Sequence, residues 1–259
     1  MVDWKKIAKD ISNWIRDYAG ENDIQTLVIG VSGGVDSAVT STLSAKTGMR
    51  TIVLNLPIHQ EDAQYDLSNR HIQWMKSKWD NVEEITLDLT SSYDEFCSDL
   101  ASADLTDLTL ANSRARLRMM ALYAVAGSNN GIVVGTGNKV EDFGVGFFTK
   151  YGDGGVDISP IADLYKSEVF AIGNDLGILR EILDAPPTDG LWDDGRTDED
   201  QIGATYDELE WAMEESGKPS GSAFSERERE VMELYLRLNK NNSHKMEAVP
   251  VFNADSKKE

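Results

Sequence analysis

A short apolar run, Thr26 to Ile29, passes directly into Gly30-Val31-Ser32-Gly33-Gly34-Val35-Asp36-Ser37, and a helix-forming stretch follows. This strand, glycine loop and helix constrain the chain more than any other feature. The run is short, uninterrupted and apolar, which reads as a strand buried on both faces. Glycines let the backbone approach an anion and turn successive N–H groups toward it. The helix starting near Val35 adds the partial positive charge of its N-terminus. Ser32 and Ser37 offer hydroxyl donors. Asp36 would repel a phosphate unless a cation lies between them, and a shared magnesium ion resolves that conflict. The loop lacks the lysine of a Walker motif and the GxGxxG spacing of a dinucleotide fingerprint.

The rest of the chain supports a sheet of the same kind. Residues Trp4, Ile7, Ala8, Ile11, Trp14, Ile15 and Tyr18 recur at helical spacing and predict a first helix ending near Gly20. Strands are expected at 26–29, 51–56, 83–89 and 131–135, with helices at 38–46, 65–79 and 112–127 between them. Such alternation predicts an α/β fold, doubly wound, with a mostly parallel sheet and helices on both faces. Two further helices are expected at 199–215 and 225–241. Residues 136–163 are glycine-rich and irregular, which suits a binding surface. Residues 185–201 carry two prolines, two glycines and a run of aspartates, and are expected to form a long polar loop acting as a lid. The tail 255–259 is expected to fray. The 259 residues are expected to form one domain.

Composition excludes several classes. A formal net charge of -20 disfavours non-specific binding to nucleic acid or to an anionic membrane surface. The single cysteine, Cys97, permits no internal disulfide and no CxxC zinc or redox pair. No run approaches the roughly 20 apolar residues of a membrane span. A reduced cytoplasm is the expected location. In so acidic a chain, the arginines of the 112–127 helix form a local basic cluster, with Arg114 and Arg118 on one face and Arg116 pointing elsewhere.

The octet Gly30 to Ser37 resembles the pyrophosphate loop of the N-type ATP pyrophosphatases, which adenylate a substrate and release pyrophosphate. Three further segments narrow the resemblance. Asn112-Ser113-Arg114-Ala115-Arg116-Leu117-Arg118-Met119, Val134-Gly135-Thr136-Gly137-Asn138-Lys139 with Glu141, and Gly146-Phe147-Phe148-Thr149-Lys150-Tyr151-Gly152-Asp153-Gly154-Gly155-Val156-Asp157 through Ile161 are similar to NAD+ synthetase signatures. The resemblance runs in order along nearly the whole chain. Between Glu141 and Phe147 this chain is one residue longer than some family members.

The resemblance implies ATP-dependent amidation of deamido-NAD through an adenylated intermediate. It implies that Gly30, Val31, Ser32, Gly33, Gly34, Val35, Asp36 and Ser37 bind ATP phosphates, and that Thr136, Lys166 and Thr188 contact ATP. Asp36 and Glu141 would ligate Mg2+. Arg116, Lys150, Asp157, His244 and Lys245 would contact deamido-NAD. Asp36, Asp157 and Lys166 are the expected catalytic residues, and Asp157 or Asp153 is expected to take the proton from ammonium. The resemblance also implies a homodimer. Glutamine-using relatives carry a fused amidohydrolase domain with a nucleophilic cysteine. This chain opens almost directly into the synthetase region, so free ammonia is the expected donor, and a separate glutaminase partner stays open. Two other readings are a GMP synthetase-like amide-forming ligase and an ATP-binding sensor without activity. The segment 146–157 argues against the first. Asp36, Glu141 and a basic pocket together argue against the second.

Overall fold

The apolar run forms β1 (Thr26–Gly30), and its side chains bury on alternate faces. The structure, a computed structural model, describes residues 2–188, 196–218 and 224–254. The expected tail at 255–259 and part of the expected lid, 189–195, lie outside the described residues.

Four strands form one parallel sheet in the order β3-β2-β1-β4. They are β1, β2 (Arg50–Asn55), β3 (Val82–Thr86) and β4 (Gly131–Val133). Leu27 and Ile29 of β1 face a core built with α1 (Trp4–Glu21), α2 (Val35–Ala45), α6 (Lys166–Leu176) and the short α7 (Arg180–Leu183). Val53 of β2 packs on the same side against α3 (Asp62–Lys78) through Ile72 and Met75. Val28, Ile52 and Leu54 face the opposite way, toward Tyr93 of α4 (Thr90–Asp99) and Met119 and Leu122 of α5 (Asp107–Ser128). Helices therefore cover both faces, as the doubly wound reading expects, and the central strands are apolar on both sides. Edge strand β3 carries Glu83 and partly buried Glu84, charges that discourage edge pairing with another chain.

Several boundaries differ from the sequence reading. The expected strand 83–89 ends at Thr86, and the expected strand 131–135 ends at Val133, with Val134 in an isolated parallel bridge to Ile158. The expected helix 199–215 is two helices, α8 (Asp198–Ile202) and α9 (Tyr206–Ser216). Gly203 at φ +94° stops the first, a left-handed conformation that a helix cannot continue through. Thr205 then caps the second by accepting the N–H of Glu208. The expected 185–201 loop thus already contains α8. The last helix, α10 (Glu226–Met246), runs five residues further than expected. Helices α4 and α6 were not expected.

The irregular 136–163 stretch holds one seven-residue π-helix, Lys139–Val145. π turns of this kind are frequent at functional sites. Val140 and Val145 of this turn pack with Leu209 and Ala212 of α9 and Val231 and Tyr235 of α10. The C-terminal helices therefore clamp the π turn against the sheet domain.

Candidate active site

Strand order reverses between β1 and β4, so the segments leaving their carboxyl ends diverge and open a crevice. The glycine loop lines one side. Its Gly33 has φ +94°, and an added Cβ would stand 2.9 Å from the Gln64 carbonyl oxygen and 3.1 Å from the Ser68 nitrogen. Only glycine fits there, because both obstacles are backbone of α3. Ser37 Oγ accepts the Ser32 N–H at 3.2 Å and donates to the Gly34 carbonyl at 3.0 Å, which holds the loop closed on itself. Gly34 precedes α2 with no side chain capping the helix, so the first N–H groups of α2 stay available to an anion. Gly30 ends β1 behind the loop, and Val31 and Val35 are buried beneath it.

The other side comes from the segment after β4. Asn138 is fully buried. Its Oδ1 accepts the N–H groups of Val140 and Glu141, and its Nδ2 donates to Asp36 Oδ1 at 3.1 Å. Half-buried Thr136 lies two residues before it. Lys166 opens α6 and places Nζ 2.6 Å from Asp36 Oδ2 and 2.9 Å from Glu141 Oε1. The Lys166 side chain is 3% exposed, and those of Asp36 and Glu141 are 17% and 16% exposed. In this arrangement the cation beside Asp36 is Lys166, a neighbour that the sequence reading did not pair with it.

Burial alone would discharge Lys166, but the two carboxylates outweigh it and raise its pKa, so the ammonium stays charged. Burial also opposes the Glu141 carboxylate, yet Lys166 and the Tyr206 hydroxyl outweigh that and hold its pKa below the usual value. For Asp36, burial wins over Lys166, Glu141 adds to it, and the pKa rises. Two carboxylates around one ammonium leave an excess negative charge in a nearly dry place. That donor set fits Mg2+, a hard cation held by one or two carboxylates with phosphate oxygens completing its shell. No group of three or more His, Cys, Asp or Glu that could hold a metal alone exists among the described residues, so such an ion would share its ligands with ATP.

A second group gathers around the 146–157 segment. Arg116 Nε donates to the Lys150 carbonyl at 3.3 Å, and Lys150 Nζ donates to the His244 carbonyl at 2.8 Å. Lys245 Nζ donates to the carbonyls of Gly146 and, at 2.8 Å, Phe148. Lys150 and Lys245 thus rest on backbone oxygens, and the carboxylates of Asp153 and Asp142 lie near the Lys245 ammonium. Arg114 and Arg118 turn away from Arg116, toward the Tyr93 ring and the Leu56 carbonyl respectively. Asp153 accepts the Thr149 N–H at 3.1 Å. It is ringed by protein yet open to solvent. The surrounding protein pushes its pKa up to about 6, against hydrogen bonds from the backbone; solvent at its exposed side tempers that rise.

Two expected residues sit differently. Asp157 lies at the sheet edge with both oxygens engaged, Oδ1 accepting from the Tyr123 hydroxyl at 3.0 Å and Oδ2 from the Val133 N–H at 2.7 Å. Its hydrogen bonds tie the 146–161 segment to β4. Thr188 Oγ1 donates to the Arg196 carbonyl at 3.3 Å. Sequence reasoning gave no role to Asn138 or Tyr206. Asn138 was within reach, since an Asn three residues before Glu141 is a helix-capping signal. Tyr206 carried no signal, because its partner lies 65 residues away.

The family model described as NAD synthase matches residues 7–249. A relative from Carboxydothermus hydrogenoformans, named NH(3)-dependent NAD(+) synthetase, is 34% identical over 253 residues, 94% of this chain and 96% of its own. The solved structure of NMN synthetase from Francisella tularensis is 34% identical with a TM-score of 0.86, covering 98% of this chain and 100% of that one. The structure of NAD+ synthetase from Burkholderia pseudomallei is 29% identical with a TM-score of 0.73, covering 95% and 90%. The chain therefore belongs to the NAD synthase family and is an ammonia-dependent, ATP-consuming ligase of NAD biosynthesis.

Proposed function

We propose that this chain adenylates the nicotinate carboxylate of deamido-NAD and passes the acyl group to ammonia, releasing AMP and pyrophosphate. The observation that carries the site assignment is Lys166, buried between Asp36 and Glu141 beside the uncapped start of α2. Loop N–H groups and the hydroxyls of Ser32 and Ser37 would grip the β- and γ-phosphates. Thr136, Lys166 and Thr188 would contact ATP, and Asp36 and Glu141 would hold Mg2+. When bound, that ion neutralises charge building on the departing pyrophosphate. Lys166 supplies a fixed positive charge at the same place, which costs no reorganisation during reaction.

Arg116, Lys150, His244 and Lys245 would receive the anionic dinucleotide, with Asp157 holding the segment that carries Lys150. Ammonia must attack as the neutral amine. Asp153 suits the proton acceptor better than Asp157, because its pKa is raised and it is exposed to solvent, while Asp157 spends both oxygens on Tyr123 and Val133. No protein nucleophile is required. Exposed Leu108, Met120 and Tyr123 on α5 support a homodimer. We place the reaction in the cytoplasm. No helix among the described residues is long and apolar enough to cross a membrane.

A second acceptor is favoured by the TM-score of 0.86 to the NMN synthetase: nicotinate mononucleotide, whose amide is NMN. One assay decides. Purified protein with ATP, Mg2+ and ammonium is given either acid, and amide, AMP and pyrophosphate are measured. We expect NAD+ with a higher kcat/KM than NMN; the reverse order would replace the dinucleotide reading. Glutamine in place of ammonium tests the nitrogen source, and amide formed from glutamine alone would overturn free ammonia as the donor.

A further inference from the structure

Tyr206 binds the active-site triad without belonging to the surfaces assigned to ATP or deamido-NAD. Its hydroxyl lies 2.6 Å from Glu141 Oε1 and 3.2 Å from Asp198 Oδ2, so one proton is offered to two carboxylates, with Glu141 the nearer. Its ring faces Lys166 Nζ at 4.6 Å. Lys166 thus has a carboxylate on two sides and an aromatic face on the third. The ring is held in place on every count. Tyr206 is 6% exposed, begins α9 directly after the Thr205 cap, and donates its own N–H to Glu199 Oε1 at 2.9 Å. Asp198 in turn donates its N–H to the Pro187 carbonyl at 3.0 Å, next to Thr188.

We propose that Tyr206 is a positioning residue that fixes Glu141 and Lys166, setting the affinity for Mg2+ with ATP rather than the rate of amidation. Glu141 Oε1 already receives two donors, Lys166 and Tyr206. An incoming cation must meet Oε2 or displace one of those donors. With Tyr206 in place the carboxylate cannot swing, so Oε2 has one orientation and Lys166 cannot follow Glu141 away from Asp36. The contact also reaches Thr188 through Asp198 and Pro187, so the segment assigned to ATP and the carboxylate assigned to the metal share one anchor. This rests on reading Glu141 as a metal ligand.

The test compares wild type, Tyr206→Phe and Glu141→Gln in Mg2+ titrations of pyrophosphate release. Calorimetric binding of Mg2+ with a non-hydrolysable ATP analogue is measured beside them. Tyr206→Phe keeps the ring and loses only the hydroxyl. We expect its half-saturating Mg2+ to rise about tenfold, with kcat at saturating Mg2+ within about twofold of wild type. The calorimetric affinity should fall by the same factor. A packing role alone would lower Tm and leave the Mg2+ dependence unmoved; that result, with Glu141→Gln shifting it, overturns the inference while sparing the metal reading. If Glu141→Gln leaves Mg2+ dependence at wild type, the metal reading fails and the inference falls with it.

Discussion

Asn138 Nδ2 donates to Asp36 Oδ1 at 3.1 Å and joins two residues 102 apart in sequence. The same amide caps the π turn through Oδ1, so one buried side chain sets both carboxylates. Asn138→Ala should lose about 1–3 kcal/mol of stability, from an orphaned cap and a lost bond to a charged group. Its kcat/KM for ATP should fall at least about tenfold, since Asp36 is then free to turn. Asn138→Asp keeps the capping oxygen but buries a carboxylate against Asp36, so it should lose stability at pH 7, recover part of it as pH falls, and be poorly active. Denaturant melts and steady-state kinetics on both variants check this; a fully active Asp variant would reduce Asn138 to a cap.

Lys166 neutralises two carboxylates at 2.6 and 2.9 Å. Replacing one member of a buried ion group leaves charge uncompensated, so Lys166→Met should cost about 3–5 kcal/mol at pH 7 and abolish adenylation. The Asp36 pKa is already raised by burial; without the ammonium it rises further, and that of Glu141 rises as well. The unfolded state then loses protons first, and the penalty grows as pH rises. The variant should therefore regain more stability between pH 7 and pH 5 than wild type does. Saturating Mg2+ should raise the Tm of Lys166→Met more than that of wild type. Thermal melts across pH, with and without Mg2+, measure both effects.

The sheet was legible because β1 and β2 bury on both faces and therefore read as unbroken apolar runs. Helix α4, Thr90–Asp99, was not legible, since its Ser, Thr and Asp content suits turns as well as helix and only Tyr93 is buried. Gly203 was visible but its consequence was not: a single glycine can sit within a helix, and only its φ of +94° shows that it breaks one. At the site, glycines and charges announced themselves, whereas the pairings did not. Nothing local in the sequence says that Lys166, at the start of an unforeseen helix, meets Asp36 130 residues earlier. Asp157 shows the converse. Its place in a glycine-rich signature suggested chemistry, while its oxygens hold a strand edge.

His71 is wholly buried in α3, stacked on Trp74, with Nε2 3.0 Å from Ser41 Oγ. Ser41 Oγ donates to the Ser37 carbonyl at 2.6 Å, which leaves it to accept the Nε2 proton, while Nδ1 has no hydrogen-bond partner. Burial lowers the His71 pKa to about 4. An unfolded imidazole titrates near about 6.5, so the unfolded state binds more protons between those values. Stability contributed by neutral His71 is therefore complete above about pH 6.5 and lost as pH falls toward 4, by an amount on the order of 3 kcal/mol. His71→Leu should flatten this acid limb in urea melts taken from pH 7 to pH 4.5. Because Ser41 lies one turn beyond Ser37, the wild-type limb should coincide with loosening of the glycine loop.

Asp153 supplies the last prediction, which separates the two aspartates of the 146–157 segment. Its carboxyl is open to solvent, with a pKa raised to about 6 by its protein surroundings. Above that pH it is ionised and can accept a proton from ammonium; below it, it cannot. Asp153→Asn keeps the oxygen that accepts the Thr149 N–H, so the loop should hold its shape. Removing a general base typically costs about 10²- to 10⁴-fold, and amide formation at pH 7 should fall within that range. Adenylation should persist, seen as pyrophosphate release with little NAD+. The defect should narrow as pH rises, because free ammonia then needs no base, and the wild-type acid limb near pH 6 should disappear. Asp157→Ala should instead leave the pH profile in place and destabilise the β4 edge by about 1–3 kcal/mol through the unpaired Val133 N–H. Amide formation and pyrophosphate release measured together from pH 5.5 to 9.5 distinguish the two. An Asp153→Asn enzyme with the wild-type profile would return the proton to another acceptor.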